Sequence, residues 1–254
     1  MGSDLQKLTV NPKKPRVQSA ARAFQLLQLV ARADANGVSA TEISETLGMP
    51  RQVVYHLAHT LVDMNMLRKV GRGSYLLGIG VSVIADGFRR QIGTGDIVAT
   101  YAERAAEATG ETAYVVGWVE DEIVVLGTAR GKGIIQAAEV PRGTAGDAHA
   151  RASGKLLLAM ASDDEVKRYL ANHVLRKRTP NTITGKRALA IELAAIRETW
   201  FGTEQEEYEA GLSCLAVPIG PVPSRMVLGI SAPAERMARN LPSYLDILRQ
   251  VAAR

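Results

Sequence analysis

The stretch from Ser39 to Leu61, SATEISETLGMPRQVVYHLAHTL, constrains the fold of this chain more than any other. It opens with a capping box, in which the side chains of Ser39 and Glu42 can each accept a hydrogen bond from a backbone N–H that the first helical turn leaves free. A short helix follows and Gly48 ends it, and Pro50 then suits the first turn of a second helix. Two helices joined by so tight a turn predict a helix-turn-helix motif.

The second helix of this pair has two different faces. An apolar stripe is predicted to be buried, and it consists of Val54, Leu57, Leu61 and Met64. The opposite face is polar, and we expect four of its side chains to contact base edges in a major groove: Arg51, Gln52, Tyr55 and His56. His59 shares that face at metal-ligand spacing from His56. No Cys or carboxylate set nearby would complete such a site, so no metal is predicted.

The segments on both sides of the motif extend it to a DNA-binding domain. Residues 19–32 repeat apolar side chains at helical spacing and predict a first amphipathic helix. After the motif, LRKVGRGSYLLG contains two short extended segments around a turn with two glycines, which predicts a β-hairpin wing. Three basic residues of this wing are expected to contact phosphates or the minor groove: Arg68, Lys69 and Arg72.

The charge of the chain is divided unevenly along its length. Residues 1–92 carry 12 Lys and Arg against 6 Asp and Glu, whereas residues 93–254 carry 19 against 20. The excess positive charge therefore lies in the first third, where it favours a polyanionic partner because Lys and Arg bound to phosphates release condensed counterions. The alternative is a basic tail without a role in DNA binding. The capping box, polar helix face and basic wing together favour double-stranded DNA as the partner.

Composition narrows the class of protein further. No run approaches the roughly 18 apolar residues of a membrane helix, and no apolar signal region follows the first basic residues. We therefore expect a soluble, cytoplasmic protein with no membrane partner. The single cysteine allows no internal disulfide and no Cys-x-x-Cys metal site. No cofactor is predicted.

The clearest break in the chain is Gly93-Thr94-Gly95, where the charge balance also changes. We predict four regions: a flexible basic arm over residues 1–17, a winged helix-turn-helix domain over 18–78, a linker helix over 79–94 and a second domain over 95–254.

The second domain has the pattern of an α+β fold. A helix over 97–109 precedes three β-branched runs, the third over 134–140, which predict an antiparallel meander. Helices are predicted over 152–161, 163–170, 187–199 and 233–253, and a hairpin pairs 213–219 with 226–231. We expect these helices to pack on an antiparallel sheet.

Three motifs in this order resemble the IclR family of bacterial transcriptional regulators, over the whole chain from about Val17 onward. The first is the helix-turn-helix block TEISETLGMPRQVVYHLAHTLVDMNML. The second, HARASGKLLLA over 149–159, is similar to the family's His-Ala-x-Ala-x-Gly-Lys helix start. The third, EQEEYEAGLSCLAVPI over 204–219, is similar to its acidic pair, Gly-x-x-Cys and Ala-x-Pro strand. The chain departs from the family at Gly229, where a serine is usual.

The resemblance implies a fold and a set of partners. The second domain would be a GAF/PAS-like effector-binding domain, and the protein would form dimers through its N-terminal domains that can pair into tetramers. Such a dimer would read a pseudo-palindromic operator, because one recognition helix gives little specificity. An effector that prefers one arrangement of the C-terminal domains would change operator affinity through the linker helix.

The resemblance also implies a pocket for a small effector, often a carboxylate. Its predicted contacts are Ala152, Ser153, Gly154, Glu204, Cys214 and Ser231. Small side chains at the start of the HARASGK helix leave backbone N–H groups uncovered, so a carboxylate there would gain hydrogen bonds and a favourable helix dipole. The alternative for this segment is an ordinary, tightly packed helix start.

Cys214 has two other interpretations. As a nucleophile it would make the chain a thiol-dependent hydrolase with an accessory DNA-binding domain and His149 as its base, although no thiol-hydrolase signature is present. It could also be plain core, because free cysteine behaves as a small apolar residue. For the protein as a whole, a third hypothesis beside the regulator and the hydrolase is an architectural DNA-binding protein without a ligand. This hypothesis does not explain the second domain. We therefore predict a regulator and not an enzyme.

Overall fold

The computed structural model describes residues 15–71, 73–92, 95–133 and 142–253, and of residues 89–92, 95 and 96 it describes the backbone alone. The chain divides into two compact units, with the division between Gly95 and Asp96. Three predictions lie outside the described residues: most of the basic arm, the wing residue Arg72 and the third β-branched run. None of the described helices is both long and apolar enough to cross a membrane.

The N-terminal unit is a winged helix-turn-helix. Its elements are the helices α1 (Gln18–Val30), α2 (Ala40–Leu47), α3 (Arg51–Asp63) and α4 (Gly80–Ile92) and the strands β1 (Val38–Ser39), β2 (Leu67–Val70) and β3 (Ser74–Leu77). The strands form one antiparallel sheet in the order β1-β3-β2. The predicted helix-turn-helix and hairpin wing are confirmed. The two-residue strand β1 is too short to show a strand period and was not predicted.

Local interactions define the ends of α2. The Ser39 hydroxyl accepts a hydrogen bond from the Glu42 amide (3.2 Å), and the Glu42 carboxylate accepts one from the Ser39 amide (2.8 Å), which confirms the capping box. Gly48 ends the helix with a φ of 61°, a left-handed conformation that glycine adopts without a steric cost. Pro50 is the residue directly before α3 and not part of its first turn.

The buried stripe of α3 differs from the predicted one at its end. Val54 and Leu61 lie in the core and Leu57 packs against it, but Met64 is 58% exposed. The helix ends at Asp63, and Met64 has a φ of −84° and a ψ of 5°, so helical spacing no longer places its side chain over the core. Ala58, which is fully buried, belongs to the stripe instead.

In its described residues, the C-terminal unit combines five α-helices with a five-stranded sheet. Its helices are α5 (Gly95–Thr109), α6 (Ala152–Met160), α7 (Asp163–Asn172), α8 (Lys186–Thr199) and α9 (Ala234–Ala252), and its strands are β4 (Thr112–Val119), β5 (Glu122–Ala129), β6 (Gly202–Gln205), β7 (Leu212–Pro218) and β8 (Met226–Pro233). All pairs are antiparallel, in the order β5-β4-β8-β7-β6.

Both faces of this sheet are covered by helices. Alternate strand residues point to opposite faces, so Val115 packs with α5 and α9 whereas Tyr114 and Val116 pack with α6, α7 and α8. Every residue of α6 from Ala152 to Ala159 is buried, including the polar Ser153 and Lys155, because this helix packs against both the sheet and α8. The predicted α+β fold is confirmed.

The sheet order is not the order of the strands in the chain. β4 pairs with β5 as predicted, but its other neighbour is β8, so the first hairpin does not continue into a simple meander within the described residues. The edge strand β6 is only four residues long and was not predicted. These pairings bring residues from four distant segments to one end of α6.

Candidate functional site

A polar, solvent-exposed face of α3 forms the first candidate site. Arg51, Gln52, Tyr55 and His56 are all exposed, and Tyr55 has 48% of its surface in solvent although it is aromatic. The N-cap residue of α3, Pro50, makes no side-chain capping hydrogen bond, so the first N–H groups of this helix and the positive end of its dipole can face a phosphate. This helix end can therefore contact both the backbone and the base edges of a duplex.

The wing places two of its three predicted basic residues in solvent. Arg68 and Lys69 are exposed on the edge strand β2, whereas Leu67 and Tyr75 are each 2% exposed and attach the hairpin to the core. A hairpin that is held by buried side chains and carries exposed cations is suited to contact phosphates, because such contacts require positive charge and little shape complementarity.

The second candidate site begins with a row of three polar residues across the C-terminal sheet. Glu204 on β6 pairs in register with Cys214 on β7, and Cys214 pairs with Ser231 on β8. The Cys214 sulfur and the Ser231 hydroxyl form a hydrogen bond of 2.9 Å. The row lies on the sheet face covered by α6, because Cys214 packs with the core cluster that includes that helix.

A pocket lies between this row and the start of α6. It contains about 340 Å³ of space not occupied by atoms, part of it open to solvent, and it is lined by Tyr114, Val116, Val125, Arg151, Ser153, Tyr208, Cys214 and Ser231. The structure thus brings together three of the six predicted effector contacts, Ser153, Cys214 and Ser231. The N-cap residue of α6, Arg151, makes no side-chain capping hydrogen bond to the N–H groups of the first turn.

The other three predicted contacts do not line this pocket. Ala152 is fully buried in the core. A Cβ at Gly154 would lie 2.4 Å from the carbonyl oxygen of Ala148, so this glycine allows a 3-10 turn over residues 148–150 to pack against α6. For these two residues the tightly packed helix start describes the structure better than a ligand contact.

Glu204 lies behind the pocket and supports the loop after β6. It is 1% exposed, and its Oε2 atom accepts hydrogen bonds from the amides of Glu207 (2.8 Å) and Tyr208 (3.4 Å). Burial raises the pKa of the Glu204 carboxyl, which favours its neutral form. Its other oxygen, Oε1, is buried without a partner among the described residues.

Sequence reasoning missed five of the pocket residues. Val116 and Val125 come from the paired strands β4 and β5, and nothing in their alternation distinguishes them from other core valines. Arg151 and Tyr208 lie inside the two quoted motifs, but the direction of their side chains depends on how α6 packs on the sheet. Tyr114 lies in a predicted strand, but it faces a glycine on β8 only because β4 pairs with β8, which was not predicted.

That glycine is Gly229, which pairs in register with Tyr114. A Cβ at Gly229 would lie 2.5 Å from the Cε2 atom of Tyr114, closer than any real carbon contact. The absence of a side chain at Gly229 therefore makes room for the aromatic ring. The glycine, where a serine is usual in the family that the chain resembles, thus leaves space for the ring of Tyr114 in the pocket wall.

A buried ion cluster fixes the loop next to the pocket. The Lys155 ammonium is 2.8 Å from Glu192 Oε1 and 2.6 Å from Glu207 Oε1, and the Lys155 side chain is 1% exposed. Lys155 belongs to α6, Glu192 to α8 and Glu207 to the loop between β6 and β7. The cluster therefore joins three segments, one of which carries the pocket residue Tyr208.

The surroundings of Cys214 do not activate its thiol. Burial raises the pKa of this thiol, and the neighbouring Glu204 raises it further. His149, the candidate base, uses its Nε2 atom in a 3.0 Å contact with the carbonyl oxygen of Arg176. These features do not support a thiolate nucleophile, and no cluster of three or more potential metal ligands exists among the described residues.

Comparison with known proteins gives a consistent result. Residues 19–71 match the family model of the IclR helix-turn-helix domain, and residues 94–254 match that of the C-terminal region of the bacterial transcriptional regulator IclR. The HTH-type transcriptional regulator BhcR of Paracoccus denitrificans is 30% identical over 226 residues, which cover 87% of this chain and 80% of that protein.

Solved structures share the fold. Thermotoga maritima IclR is 27% identical and has a TM-score of 0.73, over 92% of this chain and 95% of that chain. An IclR homologue from Microbacterium hydrocarbonoxydans, solved in complex with 4-hydroxybenzoate, is 20% identical and has a TM-score of 0.73, again over 92% and 95%. Both the N-terminal and the C-terminal unit thus have counterparts in one family. The chain belongs to the IclR family of bacterial transcriptional regulators.

Proposed function

We propose that the pocket at the start of α6 binds a small carboxylate effector, and that its occupancy changes the affinity of the protein for its operator. One observation carries this proposal: Ser153, Cys214 and Ser231, predicted from separate motifs, meet in one pocket beside the uncapped end of a helix. In this interpretation Cys214 is part of the pocket wall.

The chemistry of the pocket suits an organic acid. The first-turn N–H groups of α6 and the Ser153 hydroxyl can donate hydrogen bonds to a carboxylate, and the helix dipole favours a negative charge there. Tyr114, Val116 and Val125 supply apolar walls for the rest of the molecule. A compact acid with an apolar body would match both the hydrogen-bond donors at the helix start and the apolar walls.

The proposed output is DNA binding by a homodimer or a tetramer of two such dimers. The side chains proposed to read base edges are Arg51, Gln52, Tyr55 and His56, and those proposed to hold phosphates or the minor groove are Arg68, Lys69 and Arg72. A pseudo-palindromic operator follows from two recognition helices related by twofold symmetry, and α4 would transmit the effector signal. Such a protein acts in the cytoplasm and needs no enzymatic activity.

A thermal-shift screen against small monocarboxylic, dicarboxylic and aromatic acids tests the effector site. A ligand at 100 times its Kd stabilises the folded state by about 2.7 kcal/mol, which is readily measured. We expect at least one acid to raise the Tm of the wild-type protein and not that of Ser153→Leu. A hit that survives this substitution would place the effector elsewhere.

A measurement of operator affinity tests whether effector binding is coupled to DNA binding. The protein is titrated with an operator duplex selected by its binding from a random-sequence DNA pool, with and without a saturating concentration of the acid found in the screen. We expect the Kd for DNA to change at least about fivefold, the lower end of usual allosteric coupling. An unchanged Kd at saturation would refute regulation through this pocket.

A further inference from the structure

We propose that Arg151 makes the effector pocket selective for acids over neutral molecules of the same shape, and that Tyr208 positions its guanidinium for this task. The proposal rests on the proposed function, because it assumes that the pocket binds the effector. It adds a specificity-determining residue that occupies the first of the two variable positions of the His-Ala-x-Ala-x-Gly-Lys motif.

Arg151 is a cation with unused donors at the pocket. It is the last residue before α6, and it lines the pocket. One of its terminal nitrogens donates a 2.8 Å hydrogen bond to the Tyr208 hydroxyl, whereas its Nε is buried and makes no hydrogen bond to any residue that the structure describes. A guanidinium has five N–H donors in a plane that matches a carboxylate, so an acid could supply the missing acceptor.

Other cations near this site already have carboxylate partners. Arg178 is 3.1 Å from Asp147, and Lys155 is held by two glutamates. Within the described parts of the chain, none of the ion pairs includes Arg151. The buried Glu204 uses its Oε2 atom to accept hydrogen bonds from the amides of Glu207 and Tyr208, and it forms no ion pair with Arg151 among the described residues. Of these three cations, Arg151 is therefore the one available to a bound anion.

Tyr208 holds the guanidinium of Arg151 at the pocket. The Arg151 Cζ lies 4.3 Å from the centroid of the Tyr208 ring, and the Arg178 Cζ lies 3.8 Å from it. Arg178 also donates a 2.9 Å hydrogen bond to the Tyr208 carbonyl oxygen. Arg178 thus fixes the tyrosine, and the tyrosine limits the movement of Arg151. A pre-positioned donor loses little conformational freedom when a ligand binds.

The remaining lining narrows the ligand class. Apart from Arg151, the pocket wall facing the ligand consists of neutral hydroxyl, thiol and apolar groups, the last from Tyr114, Val116 and Val125. A second carboxylate would be desolvated there without a cationic partner. The inferred ligand is therefore a compact monocarboxylate with an apolar body.

Calorimetric titration of the full-length protein with acid and amide pairs tests the proposal. The probes are 4-hydroxybenzoate with 4-hydroxybenzamide, benzoate with benzamide, and isobutyrate with isobutyramide. In the wild type we expect at least one acid to bind about 30-fold more tightly than its amide, the usual value of hydrogen bonds to a charged group. In Arg151→Met this preference should disappear through weaker binding of the acid, with amide affinity unchanged.

Three further variants separate charge from folding. Arg151→Lys should keep part of the preference, and Tyr208→Phe should reduce it because the ring remains but the hydroxyl acceptor is lost. Arg197→Met is the matched control, because Arg197 donates a hydrogen bond to the carbonyl oxygen of Ala159 and does not line the pocket, so the acid-to-amide ratio should stay unchanged. If Arg151→Met does not fold, the Lys and Phe variants carry the test.

The outcomes distinguish this proposal from the proposed function. If no acid binds the wild type, or if Ser153→Leu leaves acid binding intact, both are overturned. If Ser153→Leu abolishes acid binding but the Arg151 variants keep the wild-type ratio, the pocket is the effector site and only the role of Arg151 is refuted. Loss of the ratio in Arg197→Met to the same extent would also refute it.

Discussion

Replacing Lys155 by Met should destabilise the C-terminal unit strongly and in a pH-dependent way. The substitution keeps most of the side-chain volume and leaves Glu207, whose side chain is 11% exposed, without its cation. Removing one partner of a buried ion pair costs about 3–5 kcal/mol. The Glu192 side chain is 33% exposed and can be hydrated, so we expect a loss at the lower end of this range, about 3 kcal/mol of unfolding free energy at pH 8. For a unit of this size that is a fall in Tm of about 6–12 °C.

The pH dependence follows from the carboxyl of Glu207. Burial raises its pKa in the native protein, and Lys155 opposes that rise. Without the lysine the pKa of folded Glu207 rises further above the unfolded value of about 4.3. A carboxyl with a raised folded pKa destabilises the native state above the unfolded pKa, and fully so above the folded one. The stability difference between variant and wild type should therefore shrink as the pH falls from 8 towards 5.

Thermal unfolding followed by circular dichroism at pH 5, 6, 7 and 8 measures this difference. The double variant Lys155→Met with Glu207→Leu should recover most of the stability, because an apolar pair of similar volume removes both buried charges. Glu207→Gln alone controls for the loss of the carboxylate. The same loss at pH 5 and pH 8, or a double variant no more stable than the single one, would refute the reasoning.

Three other predictions concern DNA binding, packing and the thiol. Lys69→Ala should weaken binding to all DNA sequences alike and lower the slope of log Kobs against log salt by about 1, measured by fluorescence anisotropy; an unchanged slope would exclude a phosphate contact. Gly229→Ser should lower the free energy of unfolding in urea by about 1–3 kcal/mol, because the serine Cβ would lie 2.5 Å from the Tyr114 ring. Adding Tyr114→Leu to this variant should restore part of the lost stability. Equal stability of all three proteins would contradict the steric argument. Burial raises the pKa of the Cys214 thiol, so iodoacetamide at pH 8 should alkylate it at least about tenfold more slowly than free cysteine. Mass spectrometry measures this rate, and a rate faster than that of free cysteine would support the thiol-hydrolase hypothesis.

The sequence by itself determined the parts of this protein that depend on neighbours three or four residues away. The capping box of Ser39 and Glu42 and the left-handed Gly48 act within one helix, so their residue types alone predict where α2 begins and ends. Alternating β-branched residues likewise predict strands. The exposed face of α3 follows from helical spacing up to Asp63, and the prediction for Met64 was wrong because the helix had already ended.

Only the tertiary structure decided how the pocket is assembled. Arg151 meets Tyr208 across 57 residues and Lys155 meets Glu207 across 52, and both contacts depend on which face of the sheet α6 covers. The packing of α6 on the sheet also determines that Ser153 lines the pocket and that Ala152 and Gly154 do not. Local spacing specifies the side of a helix or strand but not the element it faces. Strand order and helix packing arise from contacts distant in the chain, and these place the cation, the hydroxyls and the apolar walls around one cavity.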